Sequence, residues 1–274
     1  MDWTQVDQAL GRPGALQPGG VYKVGLPRSD LHVTVGSVTV KPALALGSWV
    51  AFRQMTDSEA MVMGDLVLLE GEIPSVMNKL EESGIQPTAL HNHLLHESPH
   101  ILYMHIAGRG APARLAAGLH AALSLTGTPL TTPATPPAAS TPLGLDTAQI
   151  AEAIGYRGKV NGGVYQIAVP RADTVQLEGF VVPPAMGVAT AINFQPTGGG
   201  KAAVTGDFVL IAAEVNPVIQ ALRANAIDVT ALHSHMLTES PRLYFMHFWA
   251  NDDAVTLARG LGAALAKMNV RRGG

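Results

Sequence analysis

The chain has 274 residues, enough for one large domain or two ordinary ones. Its hydrophobic fraction of 47% suffices for a core, while its net charge of −3, with no basic stripe, argues against nucleic acid as a partner. It has no cysteine, which excludes a disulfide framework, a thiolate zinc site and a cysteine nucleophile, and no run of 18 apolar residues to span a membrane.

The opening MDWTQVDQALGR has neither the basic start nor the apolar run of a signal peptide. VYKVGLP (21–27) alternates as a strand does and runs into PRSD, a proline-led turn in which Arg28 pairs locally with Asp30. LHVTVGSVTV (31–40) also reads as a strand, from its β-branched residues. Gly64-Asp65, like Gly206-Asp207 in the later part of the chain, reads as a turn before a strand, here the one that ends in EGEI. PSVMNKLEESG (74–84) predicts a helix with proline near its first turn and Gly84 as its stop. PTALHNHLL (87–95) is then a strand, ESP (97–99) a turn, ILYMHIAG (101–108) a returning strand and APARLAAGLHAAL (111–123) a closing helix. The order β-α-β-β-α is an α+β signature.

Everything then recurs. GGVYKVGLPRSD (19–30) matches GGVYQIAVPRAD (162–173), GDLVL (64–68) matches GDFVL (206–210), and ARLAAGLHAAL (113–123) matches VTLARGLGAAL (255–265). In the second copy AINF (191–194) is a strand and NPVIQALRANAI (216–227) a helix with Asn216 as its N-cap. GGG at 198–200 lacks the Lys-Ser/Thr helix start of a phosphate loop. The expected organisation is a first repeat domain over 1–125, an extended Pro/Thr/Ala-rich linker over 126–144 and a second repeat domain over 145–274. The fold class is α+β: a tandem repeat of two similar, mainly antiparallel domains, packed as a pseudo-twofold pair that covers their apolar faces.

The most informative repeat is TALHNHLLHESPHILYMH (88–105) against TALHSHMLTESPRLYFMH (230–247). On a strand, residues two apart share a face, so His91 projects with His93 and His233 with His235. An even hairpin register brings His105 and His247 to the same side, and one such register puts His91 opposite His105; an odd register aims Met104 there instead. Glu97 and Glu239 stand in the turns. Three imidazoles and a carboxylate form a plausible metal shell, so the expected ligands are His91, His93, Glu97 and His105 in one copy and His233, His235, Glu239 and His247 in the other. The donors suit copper or zinc rather than calcium or magnesium. Methionines 63, 104, 236 and 246 would add thioether character, although alternate-strand methionines more often pack a core. The competing readings are a structural hydrogen-bond network of imidazoles and acid–base catalysis without metal. The extra His96 and His100 of the first copy become Thr238 and Arg242 in the second, where the guanidinium could hold an anion. Ser98 and Ser240 lie near histidines, but turn capping explains them more cheaply.

These paired motifs, with GGVYKVGLPR and the closing FMHFWANDDAVTLARGLGAAL, resemble those of the LppY/LpqO-like family of bacterial proteins over nearly the whole chain. The resemblance implies an exported protein or lipoprotein, periplasmic or secreted. The lipid-attachment cysteine is absent. H-x-H-x3-E also resembles the first cupin motif, which would imply a bicupin, but here the last histidine follows too soon and helices interrupt each unit. The expected function is therefore an exported metal-binding protein. Copper would suit superoxide or peroxide detoxification, and zinc a hydrolytic reaction on a small-molecule substrate. A non-catalytic metal or small-ligand binding protein of the envelope is the alternative.

Overall fold

The computed structural model describes residues 2–131 and 142–271. The first repeat runs α1 (Thr4–Leu10), β1 (Ala15–Gln17), β2 (Val21–Pro27), β3 (Thr34–Val35), β4 (Val38–Thr39), α2 (Pro42–Ala45), β5 (Gly47–Gln54) and β6 (Ala60–Leu69). It continues with α3 (Ile73–Glu82), β7 (Gln86–His91), β8 (Glu97–Ser98), β9 (Ile101–Gly110) and α4 (Pro112–Leu123). The second repeats it as α5 (Thr147–Ile154), β10 (Lys159–Asn161), β11 (Val164–Pro170), β12 (Gln176–Leu177), β13 (Phe180–Val181) and β14 (Ala189–Gly198). It closes with β15 (Lys201–Leu210), α6 (Ala212–Ala224), β16 (Asp228–His233), β17 (Glu239–Ser240), β18 (Tyr244–Asp253) and α7 (Ala254–Leu265).

Each repeat forms one six-stranded antiparallel sheet, in the orders β1-β2-β5-β6-β9-β7 and β10-β11-β14-β15-β18-β16, plus a three-stranded sheet. These open sheets, each backed by helices, are not cupin barrels. The expected α+β tandem repeat of antiparallel domains is the fold observed. On β6, Val62, Leu66 and Leu68 face α1, α3 and α4, while Met61, Met63 and Val67 face the opposite way. A central strand buried on both faces reads as a nearly continuous apolar run, as AMVMGDLVLL does.

The inner faces of the two sheets cover each other. One shared core unites Val21, Ala51, Met61 and Met63 with Val175, Val209, Met236 and Phe245; its counterpart unites Val33, Leu46, Val67 and Tyr103 with Val164, Ala203 and Trp249. LHVTVGSVTV is a tight hairpin, β3 and β4 turning at Gly36 (φ +56°), rather than one strand. The segment after this hairpin lies across the second repeat: Gln195 Nε2 donates to Thr39 O (2.7 Å), Lys41 N to Gln195 Oε1 (2.8 Å) and Gln166 Nε2 to Ala43 O (2.8 Å). Reciprocally, Lys23 Nζ donates to Ala185 O at 3.3 Å.

Helix α3 follows its predicted span, with Gly84 left-handed (φ +75°) just beyond it. Helix α6 begins four residues before Asn216 and carries Pro217 inside, so Asn216 is not its cap. Glu214 supplies the cap instead, accepting from Ile211 N at 2.9 Å. The expected linker lies largely in residues outside those described, but its first part stays with the first repeat: Gly127 N donates to Glu72 Oε1 (3.1 Å) and Leu130 packs on its core.

The PRSD and PRAD arginines are buried, and each takes two carboxylates. Arg171 Nη1 donates to Glu214 Oε2 (2.6 Å) and to Val209 O (2.8 Å), and Nη2 reaches Asp173. Arg28 does the same with Glu72, Asp30 and Val67 O. Removing one partner leaves a buried charge undercompensated. Glu214→Ala should therefore lower unfolding free energy by about 3–5 kcal/mol. Urea denaturation checks this, and a loss below about 1 kcal/mol would show that Asp173 alone suffices.

Candidate metal centre

Whether the three histidines of a motif share a face depends on one extra residue. Gln86 and Pro87 pair with Ala107 and Ile106; after a bulge at Thr88, Ala89 pairs with His105 and His91 with Tyr103. Carried on without the bulge, the first register would turn His91 toward the helices. With it, the parity is the even one, shifted by two residues from the pairing that opposes His91 to His105. The second repeat has the same bulge at Thr230, with Ala231 opposite His247 and His233 opposite Phe245.

The bulge threonines also join the repeats. Thr88 Oγ1 donates to His235 O (2.6 Å), and Thr230 Oγ1 donates to His93 O (2.5 Å). Each therefore holds the loop carrying the other copy's second histidine, which lies beyond the end of its strand.

The two motifs converge on the pseudo-twofold. His91 stacks on its counterpart His233 with ring centroids 3.5 Å apart. His93 lies between Tyr103 (3.3 Å) and His247 (3.7 Å), and His235 between Phe245 (3.5 Å) and His105 (3.4 Å). The rings meet face to face, so their nitrogens do not bond to one another. Nδ1 of His247 donates to Gly206 O (2.8 Å) and Nδ1 of His91 to Asn92 O (3.1 Å), which leaves a lone pair on each Nε2. All six Nε2 atoms are buried without a hydrogen-bond partner.

Asp65 and Asp207 complete the cluster. They are not turn residues: each lies inside a ten-residue strand, directly opposite His105 and His247 respectively. Asp65 stands 3.8 Å from His93 Nε2 and 3.7 Å from His105 Nε2, and Asp207 stands 3.7 Å from His235 Nε2. These distances exceed a hydrogen bond. A Gly-Asp pair ordinarily signals a turn, but an aspartate repeated within two long apolar runs was the signal available.

Glu97 and Glu239, expected as ligands, are buried but belong to neither group of histidines whose ligand atoms lie within 4.8 Å of one another. They brace their own turns: Glu97 Oε1 accepts from Ile101 N (3.3 Å) and Glu239 Oε1 from Leu243 N (2.9 Å). His100 bonds Glu97 (2.8 Å) at the surface. Arg242 is spent on Ser234 Oγ (2.9 Å), Met236 O (3.2 Å) and Glu239 (3.3 Å) rather than on an anion. Met104 and Met246 pack on the helix side, and Met63 and Met236 in a shared core.

Burial dominates the electrostatics. It lowers His91 to about 4 and His233 to about 3, and it pushes His93, His105, His235 and His247 well below their ordinary value, with neighbouring imidazoles adding to the effect. It raises Asp65 to about 8 and Asp207 well above the carboxylate range. Lys23, lying 3.9 Å over the Trp49 ring, is lowered to about 8 by burial, against the pull of Asp65.

A family model described as Domain of Unknown Function (DUF1259) matches residues 4–125 and again 148–267. The chain belongs to that family. Its description neither supports nor opposes the LppY/LpqO-like resemblance. No curated protein matches the chain. Two solved structures align with it: the trimeric bacterial microcompartment shell protein PduB (11% identity, 94% of this chain and 95% of that one, TM-score 0.24) and EtuB from Clostridium kluyveri (10%, 92% and 90%, TM-score 0.21). At these scores no function passes from them. The expected periplasmic or secreted location and the copper or zinc antioxidant, lipoprotein-like character are withdrawn: the match with a descriptive title is to a bacterial microcompartment shell protein, and no location or activity is drawn from it for this chain. Among the described residues no helix is long and apolar enough to cross a membrane.

In chelator-stripped protein the six depressed histidines stay neutral where their unfolded counterparts take up protons below about pH 6.5. The unfolded chain then binds more protons, so stability falls with acid. The raised aspartates act oppositely, and their contribution is lost as pH rises toward about 8. With six groups against two, urea midpoints should peak near neutrality, fall steeply below about pH 6 and fall gently toward pH 8. A flat profile from pH 5 to 7 would show that the imidazoles titrate normally.

Proposed function

We propose that this chain is a transition-metal-binding protein whose centre lies between the two repeats, among His91, His93, His105, His233, His235, His247, Asp65 and Asp207. The observation carrying this reading is the set of six buried Nε2 atoms, every one without a hydrogen bond. An unsatisfied buried polar atom costs about 1–3 kcal/mol, so six of them rival the whole stability of a domain. A metal ion converts that burden into binding energy. Face-to-face stacking disfavours the hydrogen-bond network as an explanation, because no imidazole donates to another.

Neutral imidazoles with carboxylates and no thiolate suit a borderline divalent ion such as zinc or copper(II). A bound ion would supply Lewis acidity to a water or a carbonyl-bearing small molecule. The chain's own residues fix the ligands: Gly206 O and Asn92 O hold the tautomers of His247 and His91, and Tyr103 and Phe245 hold the rings of His93 and His235. His91, His93 and His233 are the members with partial exposure, so an exogenous molecule would approach from their side of the cluster. The burial of His105, His235 and His247 favours a second reading, metal holding without turnover.

Protein purified without chelator, or soaked in zinc and desalted, should carry metal by elemental analysis. His93→Ala with His235→Ala should weaken zinc binding at least about a hundredfold in calorimetric titration, more than loss of an outer-shell partner. The surface variant His100→Ala should leave it unchanged. Absence of metal from soaked, folded wild-type protein would overturn the reading.

A further inference from the structure

We infer that the centre holds two metal ions, one for each repeat, rather than a single ion on the pseudo-twofold; this rests on the metal-binding reading above. The first observation is how the donors divide. One group with ligand atoms within 4.8 Å of one another is His91, His93 and His105; the other is His233, His235 and His247 with His91 as a fourth member. The six imidazoles do not fall into one group, as an octahedral six-histidine ion requires. They divide by repeat, with His91 reaching both across its stacking contact with His233.

The carboxylates divide the same way. Asp65 approaches His93 and His105 at 3.8 and 3.7 Å, and Asp207 approaches His235 at 3.7 Å. Two donors each about 2.0–2.2 Å from a tetrahedral ion stand about 3.3–3.6 Å apart. The observed separations are too long for hydrogen bonds and close to those of neighbours on a common ion. Each repeat therefore offers three imidazoles with an aspartate beside them, Asp65 next to His93 and His105 and Asp207 next to His235. The aspartate stands outside the group within 4.8 Å and would move in to complete the four donors of a tetrahedral divalent ion.

Charge supports two separate sites. Asp65 Oδ1 and Asp207 Oδ1 are both buried without a hydrogen bond, so each repeat holds a carboxylate atom lacking a partner. A single ion would leave at least one of them, and several Nε2 atoms, unsatisfied. Two ions use all eight side chains, and one carboxylate beside each ion offsets the repulsion between them.

Zinc stoichiometry decides the matter. Native mass spectrometry and elemental analysis of zinc-loaded, desalted wild-type protein should give two ions per chain. His93→Gln with His105→Gln should leave one, held by the second repeat, and His235→Gln with His247→Gln should leave one held by the first. Circular dichroism establishes that each variant is folded, and the wild-type count stands even if a variant is not. One ion per chain in the wild type would overturn this inference while leaving the metal-binding reading intact, and none would overturn both. Loss of all metal from both folded double variants would also overturn it, because independent donor sets cannot fail together.

Discussion

Two antiparallel sheets, each backed by helices on one side, have an apolar face that only the other copy covers. Most of the architecture follows from this constraint. The shared cores mix residues of both repeats, and the hairpin segments cross over to bond with the opposite sheet. The gap between the sheets is therefore largely dry, and polar groups pointing into it lose water without gaining ordinary partners. Histidines there stay neutral and aspartates favour the protonated form, which is the electrostatic signature of the cluster.

A second constraint acts within each sheet. Because side chains alternate along a strand, a shift of one residue sends a whole set to the opposite face. The bulges at Thr88 and Thr230 apply that shift between the start of the strand and its histidine. The same threonines spend their hydroxyls on the other repeat's histidine loop. Local pairing and the relation between the copies are thus linked through one residue in each.

The copies have diverged around a common centre. Lys23 and Trp49 flank the Asp65 side, where the second repeat has Gln166 and Ala191. Tyr103 supports His93 and bonds Ala45 O (2.8 Å), whereas Phe245 supports His235 without a hydroxyl. The clustered residues themselves are the same in both, three histidines and one aspartate, so divergence has altered their surroundings and not the cluster.

Much of this was legible in the sequence because it rests on local periodicity and repetition. The duplicated blocks revealed two equivalent units, alternation placed most strands, proline and glycine bounded helix α3, and the H-x-H spacing with a later histidine marked all six imidazoles. The misread residues are those whose spacing fits one role while the fold gives them another. Glu97 and Glu239 have metal-ligand spacing but are held by their own turns, and Asn216 looks like a cap but lies inside a helix capped by Glu214. Asp65 and Asp207 follow glycine as turn residues do, yet they occupy central strands, since a strand's neighbours across the sheet leave no mark in its own sequence. The sequence by itself determined the repeat, the fold class and the imidazoles. Only the tertiary structure decided that the two motifs form one buried cluster with two aspartates, because convergence depends on sheet-on-sheet packing and on the parity set by a bulge.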